Sequence, residues 1–240
     1  MIAKSQIKLI KSLHQKKYRN QHGLFFAEGL KTVQELLKSN FEVDQIYATE
    51  RTFFDGSEEK LTVITASELK KISALTTPNK VLGVFRIPVV REINFKDWII
   101  ALDDVRDPGN LGTIIRLCDW FGVEHLVCSS NTVDCYNPKT LQATMGSISR
   151  VNVGYTDLLS FLEKIDVPIY GAFMEGDIVY RKELPKKGIL VLGNEAKGVS
   201  AEVEALITQK VGIPQFGKQT TESLNVATAT AILLSEIRRG

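Results

Sequence analysis

Short apolar runs alternate with helix-patterned segments along the whole chain, and in its second half each run stops abruptly at polar or glycine residues. Residues 98–105 (WIIALDDV) run into two aspartates, 188–193 (GILVLG) into Asn194 and Glu195, and 211–214 (VGIP) into a loop broken by Gly217. Continuous apolar runs of this length read as strands covered on both faces. Interleaved with helices, they demand a parallel sheet with helices on both sides, an α/β fold. Further strands are expected at 125–129 (HLVCS) and 168–173. Helices are expected at about 111–121, 138–146, 156–164, 201–207 and 223–239.

The first 90 residues show the same alternation on a smaller scale. Strands are expected at 24–29, 45–49, 61–65 and 81–85, and helices at 28–39 and 66–75. This reads as a small α/β module over 1–90, a linker at 91–97 within a weakly patterned stretch that contains Pro88, and a second domain over 98–240.

Residues 1–22 carry Lys4, Lys8, Lys11, Lys16, Lys17 and Arg19 and no acidic residue, with Ile2, Ile7, Leu9, Ile10 and Leu13 roughly at helical spacing. That is a basic amphipathic helix. It is either a solvated face or a patch that meets phosphates. The net charge of the chain is only +2, from 30 basic and 28 acidic residues. A protein that coats nucleic acid along its whole surface shows a larger excess. The average hides an uneven distribution, so any nucleic-acid contact is expected to be local and salt-sensitive at the N-terminal end.

With 44% apolar and 24% charged residues, the composition is that of an ordinary soluble globular protein, which excludes disorder, collagen and coiled coil. Cys118, Cys128 and Cys135 form no CxxC pair, and His14, His22 and His125 are scattered. No structural metal site is expected, and the cysteine usage suits a reducing, cytoplasmic setting. No run approaches the ~20 apolar residues of a membrane span.

In open α/β sheets, ligands sit at the carboxyl ends of the strands, and three segments there are too polar for plain core. The first is 102–123. Asp107-Pro108-Gly109-Asn110 is a turn signal, Asn110 can cap a helix beginning at Leu111, and Gly112 allows close approach to the first helical turn. Arg116 follows among Ile114, Ile115 and Leu117. A guanidinium there needs an anion, or a structural ion pair with Asp103, Asp104 or Glu195. The second segment, 190–200 (LVLGNEAKGVS), places Glu195 directly after a very apolar strand. The third, 213–239, opens a helix at Ser223-Leu224-Asn225, where Ser223 alone is an unremarkable cap. No GxGxxG follows a strand, no GxxxxGK[ST] exists, and Met145-Gly146-Ser147 lacks the second glycine of a nucleophile elbow. Dinucleotide, P-loop and hydrolase readings are therefore poor.

Taken in order, NLGTIIR with Asn110 and Arg116, LVLGNEAKG with Glu195, and IPQFG…ESLNVATATAILLSE with Ser223 and Asn225 resemble the three motifs of the SpoU-type (TrmH-like) RNA 2'-O-ribose methyltransferases. The likeness covers about residues 98–240. YRNQHGLFFAEGLKTVQELL more loosely resembles the small RNA-substrate-binding module often found ahead of that domain.

The resemblance implies a catalytic domain whose C-terminal segment threads a loop to form a trefoil knot. It also implies a homodimer with the active site near the subunit interface, and S-adenosylmethionine held by backbone groups around Ala172, Leu192, Gly193, Ile213, Pro214 and Leu224. No metal is implied. The matching arginine is assigned a proton-accepting role in the family. Because Arg stays protonated, clamping a phosphate and stabilising a developing alkoxide is the safer role for Arg116. Asn110, Ser223 and Asn225 would orient the hydroxyl and loops, and Glu195 would hold Arg116 or Asn110. Ribosomal RNA is favoured as substrate. Transfer RNA, or a non-catalytic RNA-binding or ribosome-assembly role, are the alternatives. One departure is Thr144, where relatives usually carry serine.

Overall fold

The computed structural model describes residues 2–54, 60–217 and 223–239. It divides into two compact units, Met1–Val89 with Asp134–Ser149, and Val90–Val133 with Arg150–Gly240. Elements are numbered along the whole chain.

The first unit holds α1 (Lys4–Ser12), α2 (Lys16–His22), β1 (Leu24–Glu28), α3 (Leu30–Leu37), β2 (Val43–Ala48), β3 (Leu61–Val63), α4 (Ala66–Ile72) and β4 (Val81–Arg86). The basic segment expected as one helix is two, broken between Ser12 and Lys16. The second ends at Gly23, whose φ of 63° is the left-handed cap that glycine adopts without penalty. The sheet order is β1-β4-β2-β3. It is mixed rather than parallel, because β4 inserts antiparallel between β1 and β2, and only β2 and β3 run together. Ile10 and Leu13 from the helical segment, Phe26, Tyr47, Leu82 and Val84 from the sheet, and Leu69 and Ile72 from α4 form its core. Thr65 caps α4 by accepting from Glu68 N, while Glu68 reaches back to Thr65 N.

Residues 134–149, inside the stretch that the sequence assigns to the second domain, pack in this first unit. Their helix α6 (Pro138–Thr144) lies on β1, and the Tyr136 ring meets Phe25 at 4.6 Å between centroids. Gly146, at φ 95°, presses on α3: a Cβ there would stand 2.8 Å from that of Glu35.

The second unit contains β5 (Trp98–Leu102), α5 (Pro108–Trp120), β6 (His125–Ser129), β7 (Asn152–Thr156), α7 (Leu158–Leu162), β8 (Ile169–Ile178), β9 (Gly188–Leu192), α8 (Ala201–Glu204), β10 (Gln209–Gly212) and α9 (Val226–Ile237). Among the described residues its sheet runs β10-β8-β9-β5-β6-β7, and every pairing is parallel. Every residue of β5, β6 and β9 is buried, as two-sided coverage by helices requires. After β5 the chain builds outward through β6 and β7, then crosses to the other side to lay down β8, β9 and β10. Strand order therefore reverses between β5 and β9, the position at which open α/β sheets form a ligand crevice.

The stretch read as a linker is packed. Ile93 and Phe95 lie against the core of this unit, and the Asn152 amide accepts from Arg91 N (3.0 Å) and donates to Arg91 O (2.9 Å). Between β8 and β10 the register jumps, Lys210 facing Gly171 and Val211 facing Asp177. The backbones touch there: a Cβ on Gly176 would lie 2.4 Å from Val211 C, and one on Gly212 2.8 Å from Phe173 O. No helix among the described residues is long and apolar enough to cross a membrane.

Candidate active site

Helix α5 begins at Pro108, one turn earlier than expected, and its cap is Asp107 rather than Asn110. The Asp107 carboxylate accepts from Asn110 N at 2.8 Å, with proline at the first helical position where its missing N–H costs nothing. An aspartate directly before proline is the sequence signal for this start. The shift matters chemically. Relieved of capping, the Asn110 side chain points out of the first turn. Its amide donates to Glu195 Oε1 (3.0 Å), and its carbonyl accepts from Asn225 Nδ2 (2.8 Å). Glu195, Asn110 and Asn225 thus form one hydrogen-bonded chain across the ends of β9 and β5 and the start of α9, at the strand-order reversal.

Each member is held by its own loop. Glu195 stands in a tight turn, where Asn194 and Gly198 exchange backbone hydrogen bonds of 2.9 Å each and Asn194 Oδ1 accepts from Ala196 N and Lys197 N. The turn is docked by Asn194 Nδ2 on Asp104 O at 2.7 Å. Gly193 has no alternative, because a Cβ there would fall 2.1 Å from Gly198 C. Asn225, not Ser223, caps α9, accepting from Ala227 N (2.9 Å) and Thr228 N (3.2 Å). Ser223 is exposed, and among the described residues no hydrogen bond ties it to the chain of three. Residues 218–222 of that motif, including its Glu222, lie outside the described residues.

Arg116 is exposed. It continues a stripe with Asn110 and exposed Thr113 at three-residue spacing, rather than standing on the apolar face of α5. The ion pairs considered for it do not form, because each carboxylate is engaged elsewhere. Asp103 accepts from Ser200 N (2.8 Å) and Oγ (2.7 Å), Asp104 from Arg106 Nε (2.8 Å), and Glu195 from Asn110. Among the described residues Arg116 has no partner. Asp104 is also one of two non-glycine residues there with positive φ, at 57°, which turns the chain sharply after β5.

Of the six positions that the resemblance links to a cofactor, Leu192 closes β9 and Gly193 follows it, Ile213 and Pro214 follow β10, Ala172 lies within β8, and Leu224 precedes the Asn225 cap of α9. Leu192 is buried at the end of β9. Gly193, Ala172, Ile213 and Pro214 are half-buried, and Leu224 is 46% exposed. The set is apolar or small and carries no charge, which fits a neutral aromatic base and an aliphatic chain gripped through backbone groups. Cys118 is buried, and that burial pushes its thiol up to about 12, so it is an inert core residue. Thr144 is buried within the first unit, its hydroxyl donating to Leu141 O.

Of the basic N-terminal residues, Lys4, Lys8, Lys11, Lys16 and Lys17 are exposed. Arg19 is not available to a phosphate. It is 2% exposed, its Nε donates to Asp134 Oδ2 at 2.9 Å, its Nη2 pairs with the same oxygen, and Nη1 donates to Leu13 O.

A parallel sheet with an amide–carboxylate chain at its strand-order reversal is the arrangement in which open α/β folds bind ligands. Residues 97–235 match the model of the SpoU rRNA methylase family, and residues 4–83 that of the MRM3-like substrate binding domain. The chain belongs to the SpoU rRNA methylase family. It is 31% identical to the Bacillus subtilis 23S rRNA (guanosine(2553)-2'-O)-methyltransferase RlmP over 98% of this chain and 97% of that one. A putative RNA methyltransferase of the TrmH family from Porphyromonas gingivalis superposes with a TM-score of 0.91 at 37% identity, over 100% of this chain and 99% of the other. An AdoMet-bound rRNA methyltransferase from Sinorhizobium meliloti does so with a TM-score of 0.87 at 29% identity, over 100% and 96%.

Proposed function

We propose that this chain transfers a methyl group from S-adenosylmethionine to a ribose 2'-hydroxyl of RNA, with ribosomal RNA as the substrate. The carrying observation is the Glu195–Asn110–Asn225 chain at the strand-order reversal, with the exposed Arg116 guanidinium, which has no partner among the described residues, further along the same helix stripe as Asn110. Family membership and the rRNA methyltransferase likeness over nearly the full chain support the reaction.

Ala172, Leu192, Gly193, Ile213, Pro214 and Leu224 hold the cofactor, which when bound supplies an electrophilic methyl on a sulfonium sulfur. Arg116, always protonated, clamps the phosphate beside the target ribose and stabilises negative charge developing on the 2'-oxygen. Asn110, fixed from both sides by Glu195 and Asn225, orients the hydroxyl, and Ser223 lies two residues from that chain to assist. Positioning of this kind accounts for roughly 7–11 kcal/mol of a barrier.

The C-terminal segment threads a loop as a trefoil knot, a topology that general rules treat as nearly absent. The working form is a homodimer in the cytoplasm, with the active site near the subunit interface. Lys4, Lys8, Lys11, Lys16 and Lys17 meet RNA phosphates, and the match of residues 4–83 to a substrate binding domain supports that role.

Arg116→Ala tests the reading. Titration calorimetry is expected to show nearly unchanged cofactor affinity, while transfer of a tritiated methyl to ribosomal RNA disappears. Retained turnover removes Arg116 from the mechanism. Cofactor binding by the natural chain without methyl transfer to any RNA would support a non-catalytic role instead.

A further inference from the structure

Phe216 is 91% exposed. It lies in the stretch that leaves β10 at Gly212, four residues along, so its Cα is within about 14 Å of that strand end. By Asn225 the chain has reached Asn110 at the start of α5. In the sheet, β10 and β5 are separated by β8 and β9, roughly 14 Å at ordinary strand spacing. The connection from 213 to 225 therefore starts from the edge strand and ends at the candidate active site, and Phe216 stands at its beginning. Gln215 and Gly217 on either side of it are exposed as well, and a Cβ on Gly217 would meet nothing within 4 Å. A fully exposed phenylalanine gains nothing for folding. The ring follows Pro214, one of the positions proposed to hold the cofactor, by two residues, and an aromatic face is what an unstacked base needs.

Resting on the methyltransferase reading above, we infer that Phe216 is a positioning residue that stacks on a nucleobase of single-stranded RNA and so presents a ribose to Asn110 and Arg116. Stacking on a phenyl face is tolerant of base identity, so Phe216 contributes grip rather than sequence choice. Phosphate clamping by Arg116 supplies the polar half of the same grip.

The test uses the full chain and a short single-stranded RNA carrying one 2-aminopurine, whose fluorescence is quenched on stacking. Quenching is expected with the natural protein and with Phe216→Trp, and is expected to be lost in Phe216→Ala and Phe216→Leu. RNA affinity should fall by about 5- to 150-fold in the Ala variant, the worth of one stacked base. On transcribed ribosomal RNA the loss should fall on KM for RNA rather than on kcat, with calorimetric cofactor affinity unchanged. Leucine keeps apolar bulk without a π face, so a Leu variant that behaves like the natural chain overturns the proposal. So does persistent quenching in the Ala variant. If Phe216→Ala instead changes the sedimentation of the protein alone and leaves quenching intact, the ring serves protein association and the proposal is wrong. Quenching is read without turnover, so absence of methyl transfer by the natural chain would sink the catalytic reading while leaving the stacking result to be judged by itself.

Discussion

The two units place their polar groups in opposite ways. In the first, a guanidinium is sunk into the structure: Arg19 ties the turn after α1 to Asp134, at the start of the segment that joins this unit from far along the chain. In the second, the strands nearest the reversal point are apolar throughout, and the polar groups gather at the carboxyl edge, where Arg116 is left without a partner among the described residues. Arg116 lies among apolar residues in sequence and Arg19 in the polar stretch 16–22, yet Arg19 is the one that is buried. Their different fates teach that an apolar neighbourhood does not decide whether a cation is structural or functional. What decides is whether the fold brings it a carboxylate.

The sharpest way to break this comparison is Arg19→Ala. It strands Asp134, whose side chain is 11% exposed, as an uncompensated charge. Removing one partner of a buried pair costs about 3–5 kcal/mol. Hydrogen exchange should show accelerated opening of β1, α6 and α2 while β5 and β9 stay protected. Equal protection of both units would mean that the pair holds nothing together. The same contacts predict that deleting residues 1–90 does more than remove an RNA grip, since it strips α6 of the strand it packs against.

Arg116→Ala should have the converse signature. Rate falls by about 10²–10³-fold or more, the scale of losing one preorganised charge stabiliser, while thermal stability stays within about 0.5 kcal/mol, as for an exposed side chain with no hydrogen bond or ion pair among the described residues to lose. A large fall in melting temperature would place it with Arg19 as a structural residue.

A smaller effect probes the chain between the two loops. Asn225→Ala removes the cap of α9, about 1 kcal/mol, and frees Asn110 Oδ1. In a double-mutant cycle with Asn110→Ala, measured on kcat/KM, a coupling of about 0.5–3 kcal/mol is expected for residues in one hydrogen-bond network. Additive losses would mean that the 2.8 Å contact orients nothing.

The parallel sheet was legible because β5 and β9 are so uniformly apolar that only two-sided burial suits them. Asn110, Glu195 and Asn225 were legible as polar residues at strand ends, in motifs shared with a family. The mixed sheet of the first unit was not, since β4 has the same pattern whether it pairs parallel or antiparallel, and direction is settled by its pairing with β1 and β2. Nor was the transfer of residues 134–149 to that unit. It depends on Arg19 finding Asp134 and on Gly146 lying flush against α3, contacts between residues more than a hundred positions apart that leave no local periodicity. The caps were misplaced by a turn and by two residues, because Asp107, Asn110, Ser223 and Asn225 are all good caps by type and only the backbone chooses among them.

The smallest expected effect separates the units by pH. His125, 3% exposed at the start of β6, has both ring nitrogens against amide nitrogens: Nδ1 is 3.0 Å from Asn152 Nδ2, and Nε2 is 2.9 Å from Asn94 Nδ2 and 3.3 Å from Asn94 N. An added proton gains no good acceptor. Burial holds the ring's pKa below its ordinary value, and Arg91 adds to this, while Glu124, 3.7 Å from Nε2, opposes it. The unfolded chain takes up this proton near pH 6.5 and the folded one only at lower pH. Stability contributed by neutral His125 is therefore complete above about 6.5 and lost as pH falls below it, by at most about 1.4 kcal/mol per unit. Exchange of β6 and β7 amides should quicken between pH 7 and 5.5 relative to that of β4, and His125→Gln should flatten the difference. If β4 responds as strongly as β6 in the natural chain and in the variant alike, the pH response belongs to neither unit in particular and His125 is not its source.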